Sequence, residues 1–185
     1  MDFLRDISIR ILQSIPEGLT KVKFAKVIYF VHKELVINDI YDPEELGYIR
    51  MPLGPVPDGF MNLNTNEIVI SQVQNQLSFN AQIYKCERKH FDDSIQNKVV
   101  ELVTKLNTLS TYELVDASHS EPSWKSHENG EKYFITTEDL GISFPGSYFA
   151  QNRKDFSDQN LQAKLVEGML DDIVDESTLL EYPAN

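Results

Sequence analysis

The chain has 185 residues, 41% of them hydrophobic, with one cysteine and a formal net charge of −12. That length suffices for one domain with its own core, the lone cysteine excludes an internal disulfide and a multi-cysteine zinc site, and no apolar run approaches the ~20 residues that span a bilayer. Most of the acid excess falls after residue 100, which opposes non-specific nucleic-acid binding, because that needs a basic footprint.

The opening "MDFLRDISIRIL" alternates charged and apolar residues. It lacks the uninterrupted apolar core of a signal peptide, and with the single cysteine this reads as a cytoplasmic protein. Phe3, Leu4, Ile7, Ile11 and Leu12 recur at helical spacing and predict a helix over 2–14, stopped by Pro16 and Gly18. Thr20 is placed to cap a second helix, whose apolar stripe runs through Val22, Ala25, Ile28, Tyr29, His32 and Leu35 to about Val36. Lys21, Lys23, Lys26 and Lys33 make it the most basic element, and the default for such lysines is a solvated face.

"YIRMPLGPVPDGF" begins with a short extended piece, Tyr48 to Met51. Pro52, Pro55 and Pro57 then forbid a continuing helix or a central strand, so a stiff, specifically shaped loop is expected. "EIVISQV" and "LSFNAQIYKC" read as a hairpin. Asp92 or Asp93 caps a helix with Ile95, Val99, Leu102, Val103 and Leu106 on its core face, and Ser110 or Thr111 caps a shorter one ending near Ser118. "EKYFIT" extends, "TEDLG" is a brief turn, and 142–158 looks like a linker. Asp158 caps a last helix with an apolar stripe and an acidic face, followed by a loose tail. The fold class is therefore α+β: a predominantly helical domain to about residue 140 with a small antiparallel hairpin or sheet, then a linker and an acidic C-terminal helix over 141–185.

No phosphate loop, HExxH or GxSxG occurs. Cys86 lies beside Lys85 and Arg88 in a predicted strand and reads as a packed small hydrophobe rather than a nucleophile.

Three segments in fixed order carry a family resemblance: "TKVKFAKVIYFVHK", "YIRMPLGPVPDGF" and "LVDASHSEPSWKSHENGE". They resemble the Panacea domain of SocA-like antitoxins, a family also described among phage-associated proteins. Its Lys-x-x-Lys-x-x-Tyr-Phe helix falls on Lys23, Lys26, Tyr29 and Phe30. Its Gly-Pro-Val loop falls on Arg50, Gly54, Pro55, Val56 and Pro57, and its Ser-His-x-x-x-x-Trp motif on Ser118, His119, Glu121, Pro122, Trp124 and Lys125. The resemblance implies a non-enzymatic protein that neutralises a cognate toxin by direct contact, in some members as an adaptor delivering it to a protease, with no cofactor. An adaptor or defence modulator without a toxin of its own is a variant of this reading.

The residues themselves leave choices open. Lys23 and Lys26 share a helix side with Tyr29 and Phe30. They either contact a partner or are half-buried, paired with an acid, and hold the helix against the Gly-Pro-Val loop. Gly54 to Pro57 is either a rigid recognition loop or a wedge. Arg50 offers a planar fork for a carboxylate, within the chain or on a partner. His119, Glu121 and His127 lie in a region broken by Pro122, with spacing that suits no metal. An acid/base pair of His119 with Asp116 or Glu121, in a small hydrolase or nucleotide-processing enzyme, is the competing chemistry. The favoured reading is a structural corner. In it Asp116 pairs with His119, the helix dipole favours a protonated imidazole, Pro122 starts a new turn capped by Ser120 or Glu121, and Trp124 packs on the core with its indole N–H on an acceptor.

Overall fold

The computed structural model describes residues 3–63, 65–74, 80–88 and 90–145. The expected C-terminal helix and tail lie outside them. Six helices are described: α1 (Phe3–Leu12), α2 (Lys21–Ile37), α3 (Ser94–Asn107), α4 (Thr111–His119), α5 (Pro122–Ser126) and α6 (Thr137–Leu140). They surround two small antiparallel sheets, confirming the α+β class. One sheet has the order β1 (Leu19–Thr20), β5 (Asn80–Cys86), β4 (Ile68–Gln74), and the other β3 (Gly54–Pro57), β2 (Tyr48–Met51), β6 (Lys132–Tyr133).

α2 is the axis of the domain, contacting α1, α3, α4, α6, β1, β3 and β5. Of its residues Lys21 to Val36, only Lys23 and Glu34 are not buried. A helix apolar on most of its circumference belongs in the middle of a protein, and Phe24, Val27, Ile28, Phe30, Val31 and Leu35 supply that circumference. The expected solvated lysine face is overturned: Lys21, Lys26 and Lys33 are all buried. Too much apolar surface flanks each lysine for the helix to keep one side in water. Thr20 occupies the cap position of α2, but its side chain makes no capping hydrogen bond.

α1 is stapled to α3 by polar contacts. Arg10 makes a two-pronged pair with Asp93 at 2.8 and 2.9 Å and lies 3.9 Å over the Phe91 ring. Asp93 also caps α3, accepting from Gln96 N–H at 2.8 Å. These donors, Arg10 first, hold its carboxyl pKa at about 2. Ser110 and Glu113 form a capping box on α4, so both helix starts sit where their cap residues place them.

The Gly-Pro-Val-Pro segment is not a loop. It is β3, an edge strand whose register sets Met51 against Gly54 and Tyr48 against Pro57. Prolines are tolerated there because an edge strand has one side that needs no ladder hydrogen bond. The second hairpin runs from Ile68 against Cys86 to Gln74 against Asn80, as expected. "EKYFIT" contributes only β6, and "TEDLG" forms α6. Cys86 is a buried member of the core, its thiol donating to Arg88 O at 3.2 Å.

Ile28 lies at 0% exposure in the middle of α2. Ile28→Ala is expected to cost about 2–5 kcal/mol through lost burial and the cavity left behind. Urea denaturation at unchanged m-value would measure it, and a loss within error of zero would contradict the central placement of α2.

Candidate functional site

The three motif segments, spread over about a hundred residues of chain, converge on one side of α2. Lys26, Tyr29 and Lys33 stand at i, i+3 and i+7, two turns of one helix face. Lys26 aims its polar atom at the Gly-Pro-Val segment, and Tyr29 and Lys33 aim theirs at Glu121 in the third segment.

Lys26 is 1% exposed, and its Nζ donates to Pro55 O at 2.7 Å. It does hold α2 against the Gly-Pro-Val segment, but through a carbonyl, not an acid. Burial lowers its pKa to about 7. Gly54 sits over this lysine with φ +94°. A Cβ there would fall on Ser118 Oγ and lie 3.2 Å from Lys26 Nζ, so glycine is required by both conformation and space. Ser118, at 0% exposure, donates from Oγ to Val115 O at 2.7 Å, which turns its hydroxyl into the last turn of α4.

One turn further, Lys33 Nζ donates to both oxygens of Glu121 at 2.7 and 2.9 Å, and both side chains are 1% exposed. Tyr29 Oη donates to the same carboxylate at 3.2 Å. Burial raises the Glu121 pKa while Lys33 opposes it, and burial raises that of Tyr29 with the Glu121 charge adding to the shift. Glu121 is the N-cap residue of α5 by position, with Pro122 following at the helix start, but its side chain does not cap. It turns inward to Lys33 instead. A second buried carboxylate stands behind: Asp139 accepts from Ser123 N–H at 2.9 Å, Thr136 N–H at 2.8 Å, and the Ser123 and Thr136 hydroxyls. It fastens α5 to α6.

His32, on another side of α2, is wholly buried. Its Nδ1 accepts from Tyr48 Oη at 2.9 Å and its Nε2–H donates to Asp42 O at 3.2 Å. Burial lowers its pKa to about 4, so the neutral ring is the structural one.

Outside this polar junction the remaining motif residues form a half-exposed rim. Trp124 packs on the core and donates its indole N–H to Met51 O at 3.0 Å. His119 stacks on its ring, centroids 4.1 Å apart, and the Arg50 guanidinium lies 4.2 Å over it. Arg50 also donates to Asn129 Oδ1, while its backbone pairs with Gly130 and Glu131. The expected carboxylate partner of Arg50 is thus replaced by an indole and an amide, both from the second half of the chain. Lys125 is exposed beside Trp124, and Pro52 is exposed at the turn between β2 and β3.

His119 is held neutral rather than protonated. Desolvation and the nearby Lys26 lower its pKa, outweighing Asp116 and the Pro52 carbonyl. No hydrogen bond joins His119 to Asp116 or Glu121 among the described residues, and Glu121 spends both oxygens on Lys33 and Tyr29. No group of three or more His, Cys, Asp or Glu residues among the described ones is arranged to hold a metal. No helix among them is long and apolar enough to cross a membrane. Phe30 belongs to the core, edge-on to Tyr29 at 5.3 Å. Lys23 is half-buried and reaches Asn107 O at 3.4 Å. Sequence reasoning missed Lys33 as the partner of Glu121, and it missed Asp139. The i, i+7 step from Lys26 to Lys33 was the available signal for the first, whereas four residues of "TEDL" give none for the second.

A family model described as antitoxin SocA-like, Panacea domain, matches residues 24–125, more than half of the chain. Comparison with curated proteins and with solved structures finds no match.

Two outcomes follow from this geometry. Gly54→Ala should destabilise the fold by more than the ~1 kcal/mol of an ordinary Gly/Ala difference, and Ser118→Ala in the same chain should recover part of that loss by removing the nearest atom. Thermal melts of the two single variants and the double would read this, and a tolerated Gly54→Ala would contradict it. The second concerns pH. Lys26 is lowered to about 7 in the folded chain, against an ordinary lysine value of about 10.4. The folded chain therefore binds fewer protons than the unfolded one between about pH 7 and pH 10, and stability rises with pH across that window. Lys26→Met should remove this rise, as measured by urea midpoints at several pH values.

Proposed function

Because the chain belongs to the SocA-like antitoxin, Panacea-domain family, we propose that it acts by binding, as an antitoxin that occludes a cognate protein toxin in the cytoplasm. The observation that carries this reading is the division of the motif into two layers. The inner layer (Lys26, Gly54, Ser118, Glu121) is buried, and its Lys26, Ser118 and Glu121 side chains are each turned to a partner within the chain, so it presents no open face to a substrate. The outer layer is Arg50, His119, Trp124 and Lys125, an arginine and a tryptophan pre-stacked on a fixed backbone.

Trp and Arg are the residue types most enriched where truncation costs most binding energy, and a rim already ordered in the free protein loses little entropy on contact. The Pro-stiffened turn before β3 flanks that rim and adds an exposed contact at Pro52. Delivery of the bound toxin to a protease is a further step that this rim would serve equally. The acid/base alternative loses support from the geometry, since Glu121 is committed to Lys33 and Tyr29.

The test is co-expression with the product of the adjacent gene, followed by pull-down. The wild-type chain is expected to bind and to restore growth. Trp124→Ala and Arg50→Ala should weaken binding by about tenfold or more, the range of an interface anchor, with each variant's folding checked by melting temperature. Full binding by both variants would remove the rim from the account. A wild-type chain that neither binds nor rescues would remove the antitoxin reading itself.

A further inference from the structure

The two sheets treat their open edges differently. β1 and β6 are two residues long, and β3 carries Pro55 and Pro57. Short strands and prolines are ordinary means of stopping an edge from pairing with another chain. β4 has neither protection. It runs seven residues, Ile68–Gln74, as "IVISQVQ", without proline, glycine or any charged residue. Among the described residues it pairs on one side only, with β5. Its other side presents strand N–H and C=O groups with no ladder partner there, except at Ile68, whose N–H and C=O already meet the Thr65 hydroxyl and N–H at 3.2 and 3.4 Å. Ile68 and Ile70 pack toward the core, while Val69 is 43% exposed on the opposite face.

We propose that this edge is a self-association site, where β4 pairs antiparallel with β4 of a second copy to join the two sheets across a two-fold axis. Charge selects this occupant. A chain of net charge −12 repels its own copy over most of its surface, so two copies meet most cheaply along an uncharged strip. β4 is such a strip, and the neighbouring Glu67 is neutralised by its ion pair with Arg5. A strand of a basic partner would find no opposite charge on β4 to select it. Symmetric overlap about Ser71 fixes the register. Ser71 lies opposite its own copy, Val69 opposite position 73 and Ile70 opposite Gln72. Like meets like at the centre, and no like-charge pair is created.

Such a contact differs from a charge-driven one in its response to salt. Screening weakens the repulsion between two chains of the same sign and leaves the ladder untouched, so association strengthens as ionic strength rises. Sedimentation velocity across a concentration series is expected to show a dimer that tightens with added sodium chloride, and hydrogen exchange at 68–74 should slow as dimer forms. Ser71→Lys and Ser71→Glu each place like charges opposite one another and should leave the chain monomeric, while an equimolar mixture of the two should restore a dimer. Val100→Lys, a new charge on exposed α3, should leave the dimer intact. A wild-type chain that stays monomeric throughout, as it would if β4 took only a foreign strand, overturns the proposal. So does a dimer that both Ser71 variants retain, or a mixture that remains monomeric.

Discussion

An ammonium group removed from water must be given oxygen, and α2 removes two of them along one face. That requirement organises the domain. Lys26 draws in the Pro55 carbonyl and with it the β2–β3 hairpin. Lys33 draws in Glu121 and with it the corner between α4 and α5. Neither segment is near α2 in sequence, and neither would be placed so specifically by apolar contact alone, which is indifferent to small slides. Replacing such a pair by hydrophobic residues is often neutral or stabilising in other proteins, whereas removing one partner alone is costly. The polar junction is therefore better understood as a register device than as a source of stability.

The functional reading rests on what the junction leaves outside. Ser118 and Glu121 face inward, while His119 and Trp124, within the same motif, face the hairpin and the solvent. The indole is clamped by three contacts from two elements, β2 and α4: its N–H on Met51 O, the Arg50 guanidinium over its ring, and the His119 ring stacked on it. A desolvated, neutral His119 suits this role, because a flat uncharged ring stacks on indole without repelling the Arg50 and Lys26 cations nearby. The same motif thus builds a hinge point of the fold and presents a rigid aromatic-cationic surface.

Much of the fold was legible in the residues. The caps at Asp93 and Ser110, the periodic face of α3, the hairpin of β4 and β5, and the Pro122 start of α5 all follow from local rules, and all are present. The corner around Trp124 was legible in part: the packed indole and its need for an acceptor follow from the sequence, whereas the expected Asp116–His119 pair, protonated imidazole and Glu121 side-chain cap do not appear. What local rules missed was burial. Lysines at 21, 26 and 33 look solvated in any window of the sequence, and only the packing of α1, α3, α4 and both hairpins around one helix takes them inside. Arg50 looks like a seeker of carboxylates in the sequence for the same reason. Its actual partners, Trp124 and Asn129, are some 75 residues away, and no spacing rule reaches that far. Nothing local marks Asp139 as buried, because a short acidic turn ordinarily lies at a surface.

The account stands or falls on the coupling between Lys33 and Glu121. A double-mutant cycle with Lys33→Met and Glu121→Leu, followed by denaturant unfolding through the fluorescence of Trp124, the chain's one tryptophan, measures it directly. Each single variant is expected to lose about 3–5 kcal/mol, and the double variant far less than the sum of the two. Costs that simply add, with Trp124 emission unchanged in either single variant, would show that the buried pair does not hold the motif together.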